Sequence, residues 1–150
     1  MLILGIDPGA HTGVARIEGG QLVSLQTIAP HEIERTLRAV QPARVVFEDS
    51  RLQSHTWTRG KSVAATAKMA RNVGQIDAWC SYIQAVCLDY GIDSHGVSPA
   101  GKGAKLDAER FAAVTGWTGP SNQHTRDAAM VAWPYRRAAS RGAKVEVANG

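Results

Sequence analysis

The sequence predicts an α/β fold with its elements in the order βββαβαβαα, and three observations carry that prediction. The chain opens with three short apolar runs separated by glycine turns. Two further strand-like runs follow, alternating with segments of helical period, and the longest of those segments carries an unbroken apolar heptad. Period-2 runs punctuated by Gly and Pro mark strands, and recurrence every three to four residues marks helices.

Residues 2–7 form the first apolar run, ended by Pro8-Gly9; residues 13–17 and 22–28 follow, with Gly19-Gly20 between them, so three strands joined by tight turns are expected. After Pro30, Ile33, Leu37 and Val40 recur at helical spacing over 31–40, and 43–49 is a strand rich in Val and Phe. The next helix runs from near Lys61 to about Tyr90. Its seam is Met69, Val73, Ile76, Cys80, Ile83, Cys87 and Tyr90, spaced alternately by four and three, and the seam is expected to face a sheet. A second stripe, Trp79, Tyr82 and Val86, lies on another side of the helix and is assigned to a dimer interface. Residues 92–97 read as a fifth strand, 104–115 as a helix, and 125 to about 141 as a last helix bent or ended by Pro134. Residues 142–150 are expected to form a loose tail. With no repeat or linker, residues 1–150 read as one domain.

The composition is that of a folded domain: 44% apolar and 20% charged residues argue against disorder, and 150 residues suffice for one core. The formal net charge is +4, and the positive charge is segregated. Arg51, Arg59, Lys61, Lys68 and Arg71 occupy residues 51–76 without a carboxylate, and four more cations occupy 136–144. A polyanionic partner fits that distribution. Cys80 and Cys87 stand about 10 Å apart along one helix, too far for a disulfide, and read as core thiols of a reducing compartment. No apolar run reaches membrane-spanning length and no basic leader precedes the first strand, so a cytoplasmic protein with no membrane partner is expected.

Three acidic positions are candidates for chemistry, with a turn-forming role for Asp7 and a helix-capping role for His124 or Asp127 as the structural alternatives. Asp7 ends a buried strand and is held there by Pro8-Gly9. Glu48 follows three apolar residues in a strand expected to be central, where a carboxylate is costly unless paired or bound to a cation. Asp49 points to the opposite face, and would replace Glu48 if the register slipped by one. In His124-Thr125-Arg126-Asp127-Ala128-Ala129, His124 and Asp127 share one side of a helix start, and the small residues after Asp127 let that helix lie close to a sheet.

Together these pieces resemble the RuvC-type Holliday junction resolvases of the RNase H-like superfamily. The resemblance rests on Gly5-Ile6-Asp7-Pro8-Gly9 with Thr12-Gly13 after it, the strand ending in Glu48, Gln75 in the long helix, the lysine segment from Pro99 to Lys105, and His124-x-x-Asp127-Ala128. It implies a five-stranded mixed sheet with its first three strands antiparallel and helices on both faces. It also implies a metal-binding quartet of Asp7, Glu48, His124 and Asp127 that holds two Mg2+ ions about 4 Å apart for phosphodiester hydrolysis. Mn2+ is expected to substitute, since some members carry aspartate where this chain has His124 and imidazole suits softer ions. The implied substrate is branched DNA, most of all four-way junctions, and the implied assembly is a homodimer through the long helix near 61–90. Lys102 and Lys105 stand where family lysines approach the scissile phosphate.

Arg51, Trp57, Arg59, Lys61, Lys68 and Arg71 are the further candidate DNA contacts. Trp57 reads equally as a stacking platform and as core. Family members carry an aromatic closer behind the glutamate than this chain does, so junctions, other branched DNA and RNA–DNA hybrids all stay open as substrates. Two readings rank lower. Gly96-x-x-x-x-Gly101-Lys102 has Gly103 where a phosphate-binding loop needs Ser or Thr. An actin-like ATP-binding domain needs a second such domain, and a non-catalytic nucleic-acid-binding relative would not be expected to keep all four ligands.

Overall fold

A computed structural model of the chain describes residues 1–53, 62–101 and 103–137. Its strands are β1 (Leu2–Asp7), β2 (Thr12–Glu18), β3 (Gln21–Ile28), β4 (Arg44–Glu48) and β5 (Asp93–Val97). Its α-helices are α1 (Ile33–Val40), α2 (Val63–Asp89), α3 (Ala108–Thr115) and α4 (Gln123–Ala132). The chain order is the expected βββαβαβαα. The strands form one mixed sheet in the order β3-β2-β1-β4-β5. β1, β2 and β3 are antiparallel neighbours, whereas β4 runs parallel to both β1 and β5.

The central pair is apolar on both faces, as a strand covered on two sides must be. Leu4, Ile6, Val45 and Phe47 face α1 and α2, packing with Ile33, Leu37, Cys80, Ile83, Val86 and Cys87. Ile3 and Val46 face the other way, onto Val131 and Ala132 of α4. Ala15 meets Phe111 of α3 together with Ala128 and Ala129. Both free cysteines are buried, as expected of core thiols. Among the described residues no helix is long and apolar enough to cross a membrane.

Three expectations change. The helix expected over 104–115 begins only at Ala108, because Asp107 caps it by accepting from the Arg110 N–H at 2.8 Å. The last helix starts two residues early, capped by Asn122, and gives way after Ala132 to a 3-10 turn, Trp133–Tyr135, where Pro134 has no N–H to continue the ladder. Val86 is buried in the core, so Trp79, Tyr82 and Val86 do not form a separate stripe. The α2 seam itself divides in two. Cys80, Ile83 and Cys87 are sealed against the sheet, whereas Met69 and Val73 line an open groove of about 510 Å3 with Ala65 and Ile76. The expected tail, 142–150, lies outside the described residues.

Candidate metal-binding site at the strand ends

β1 and β4 end at the same side of the sheet, with Asp7 and Glu48 as their last residues. Gly5 pairs with Val46, so alternation puts Asp7 and Glu48 on one face, the face covered by α4. Asp49 falls on the opposite face, its carboxylate lying over Gly96. Glu48, and not Asp49, therefore shares the face of Asp7.

Two glycines let α4 reach these strand ends. A Cβ on Gly5 would stand 2.0 Å from the carbonyl oxygen of Ala128, and one on Gly13 would stand 2.0 Å from that of His124. Only bare backbone allows that approach. Gly13 is the register partner of Asp7, so seating His124 on Gly13 brings its Nδ1 to 3.8 Å from Asp7 Oδ2. The His11 ring lies beside the His124 ring, centroids 5.7 Å apart. The buried Thr12 hydroxyl donates to the Gly9 carbonyl at 2.8 Å and braces the turn after Asp7.

Asp127 is buried one turn further along α4. Gln123 donates to its Oδ1 at 2.7 Å, and Lys105 Nζ stands 3.9 Å from its Oδ2. Arg126 fastens the lysine segment to the helix, donating to the Leu106 carbonyl and to the Ser121 hydroxyl, both at 3.0 Å. The Asn122 cap is reciprocal: its side chain accepts from the Thr125 N–H, and the Thr125 hydroxyl accepts from the Asn122 N–H, each at 3.0 Å.

Asp7 and Glu48 thus stand at neighbouring strand ends on the face covered by α4, which carries His124 beside Asp7 and, one turn on, Asp127. The four do not close into a coordination sphere: among the described residues no group of three His, Cys, Asp or Glu is placed to hold one ion. By type, three carboxylates and an imidazole are donors suited to a divalent cation of the magnesium and manganese class.

The candidate DNA contacts are more scattered. Lys68 and Arg71 are exposed on α2, as is Gln75. Lys105 is exposed beside Asp127. The Arg51 guanidinium is engaged by Asp49 and by the Ser81 hydroxyl. Trp57, Arg59, Lys61 and Lys102 lie outside the described residues. Sequence reasoning missed the roles of Gln123, Arg126 and the Asp49–Arg51 pair. Glycines inside two buried strands, with the small residues after Asp127, were the available signals of close helix approach.

Comparison with solved structures finds the same architecture. Thermus thermophilus RuvC in complex with a Holliday junction substrate superposes with a TM-score of 0.65 at 17% identity, over 95% of this chain and 96% of that one. A second structure of Thermus thermophilus RuvC gives 0.60 at 17% identity, over 95% and 97%. The fold is RNase H-like. At that identity the likeness to RuvC is one of fold, and it spans nearly the whole of both chains. No family model matches the sequence, and a search of curated proteins finds no match.

Proposed function

We propose that the chain is a metal-dependent DNA endonuclease that resolves four-way junctions, with Asp7, Glu48, His124 and Asp127 holding two Mg2+ ions that Mn2+ can replace. The observation that carries this reading is the seating of α4 on Gly5 and Gly13, which puts His124 beside Asp7 at the end of the central strand pair. The RNase H-like fold, matched over nearly the whole chain to a junction-bound RuvC, supports the choice of substrate. When bound, the ions would supply an activated water and neutralise charge on the leaving oxygen.

The chain's own residues hold and orient. Asp7 and Glu48 come from rigid strand ends, so neither has to be ordered when substrate arrives. Lys105, exposed and 3.9 Å from Asp127, has the length to turn from that carboxylate to a phosphate oxygen, and Lys102 belongs to the same segment. Lys68 and Arg71, with Arg59, Lys61 and Trp57 in residues 54–61, supply backbone and stacking contacts along the acid-free stretch. The working form is a homodimer through α2, because paired incisions on strands of like polarity require two sites related by a twofold axis. A cytoplasmic site of action accords with reduced, buried cysteines.

The test is a substrate panel for wild type and Asp7→Asn: four-way junction, flap, linear duplex and RNA–DNA hybrid, in magnesium and then in manganese. Wild type is expected to cut the junction in preference to linear duplex, and Asp7→Asn to cut none. Equal cutting of duplex and junction defeats the resolvase reading, preference for a flap or hybrid moves the substrate assignment there, and no cutting at all defeats the nuclease reading.

A further inference from the structure

From Glu48 to Arg51, four consecutive residues are each tied to a neighbouring element. The Cys80 thiol of α2 stands 3.6 Å from the Glu48 carbonyl as its donor. The Asp49 N–H donates to the Val97 carbonyl of β5 at 2.8 Å. The Ser50 hydroxyl donates to Asp77 Oδ1 at 2.5 Å, and Arg51 Nη1 donates to the Ser81 hydroxyl at 3.1 Å, both partners lying on α2. The centre of this arrangement is a fork. Arg51 Nε donates to Asp49 Oδ1 at 2.8 Å and Arg51 Nη2 to Asp49 Oδ2 at 2.7 Å, while the Arg51 N–H donates to Oδ1 at 3.1 Å. Asp49 is 2% exposed, and the Arg51 hydrogen bonds hold its carboxyl below the usual carboxylate range against the opposing effect of burial. Gly96 makes room for it, since a Cβ there would meet Asp49 Oδ2 at 2.7 Å.

A guanidinium with both arms on a buried carboxylate is a poor phosphate ligand, because turning it to DNA would strand the carboxylate. The network instead fixes the chain direction at the very residue that follows Glu48. We propose that Asp49 and Arg51 are positioning residues that hold the end of β4 so that the Glu48 carboxylate faces the α4 side of the sheet beside Asp7, and that Arg51 acts on the cleavage step through Glu48 and not through contact with DNA. This rests on the nuclease reading above.

Arg51→Lys separates the alternatives, because lysine keeps the charge but cannot fork onto both carboxylate oxygens. Junction cleavage is measured for wild type, Arg51→Lys, Asp49→Asn and the double variant, with junction affinity titrated against salt and Mn2+ affinity followed by electron paramagnetic resonance. The expected result is a fall in kcat of tenfold or more in each single variant, no further fall in the double, unchanged KM and unchanged salt slope. Mn2+ binding is expected to weaken by a similar factor. Full activity in Arg51→Lys, or a raised KM in Asp49→Asn with unchanged kcat, overturns the proposal. So does a salt slope reduced by about one in an Arg51→Gln control, which marks a lost phosphate contact. If wild type cuts nothing, the nuclease reading falls on its own, and the Mn2+ titration decides: unchanged affinity in Asp49→Asn sinks the positioning role.

Discussion

In the proposed site, His124 would differ from the three carboxylates in the cation it favours. Its imidazole stands 3.8 Å from Asp7 and is about half exposed, so it can turn toward a shared ion without disturbing the core. Nitrogen donors rank manganese above magnesium more strongly than carboxylate oxygens do. His124→Asp is therefore expected to raise the ratio of magnesium-supported to manganese-supported cleavage, and an unchanged ratio would remove His124 from the ligand set. Cys87 offers a prediction free of any metal. Burial, with a further contribution from the Asp93 carboxylate, pushes its thiol up to about 11, whereas an unfolded thiol titrates near 8.5. The native state thus keeps the proton where the unfolded state has lost it, so stability is fully present below about pH 8.5 and declines as pH rises toward 11. Cys80, raised by burial, and Tyr90, raised by its hydrogen bond to Glu34, add the same sign. Melting temperature measured from pH 8 to 11 should fall, and Cys87→Ala should shallow that fall without removing it. At this scale the sequence singles out Asp7, Glu48, His124 and Asp127 as candidates because each sits at the end of a strand or in the first turns of a helix. It hid the Asp49–Arg51 fork, since Asp-x-Arg in a turn is common and nothing in its letters shows that Gly96 of another strand opens space beneath it.

α4 is the element on which the site depends, and its height above the sheet is set by glycine. At Gly5 and Gly13 the obstructing atoms are backbone carbonyl oxygens, which cannot rotate away as a side-chain tip would. Gly5→Ala or Gly13→Ala should cost about 3 kcal/mol or more in urea unfolding, at the upper end for overpacking. Junction cleavage should fall with each, because the helix carrying His124 and Asp127 must lift. Gly74 is the control: it lies inside α2 with nothing within 4 Å of an added Cβ, and Gly74→Ala should stabilise by about 0.5–1 kcal/mol. A neutral Gly5→Ala would contradict the seating described. Element order and strand ends were legible because apolar alternation, Pro8-Gly9 and Gly19-Gly20 are local signals. The starts of α3 and α4 were misread because Asp107 and Asn122 act as caps through side-chain geometry that periodicity does not register. The Ala-rich turn after Asp127 did announce a close-packed helix, although its glycine counterparts lie more than a hundred residues away.

For the whole molecule, the length of α2 poses a question that one protomer does not answer. Its 27 residues extend about 40 Å, whereas the six residues of β1 extend about 20 Å, so a sheet of this size cannot cover the helix from end to end. Among the described residues, α2 meets the core clusters from Ile76 onward, whereas Ala65, Met69 and Val73 line a groove with Lys68 and Asn72 beside it. An apolar groove with a polar rim is the composition of a protein interface, and the heptad spacing of Met69, Val73 and Ile76 suits a second helix of the same kind lying along it. Wild type is expected to sediment as a dimer at micromolar concentration. Met69→Glu combined with Val73→Glu places two charges in the groove at positions outside the core clusters, so it should yield a monomer with unchanged far-ultraviolet circular dichroism. The functional consequence is specific to paired incision. On a supercoiled plasmid extruding a cruciform, a dimer cuts both strands within one binding event and gives linear product, whereas the monomeric variant should accumulate nicked circles. A monomeric wild type, or a double variant that remains dimeric, would place the twofold axis elsewhere and leave the α2 groove without this role.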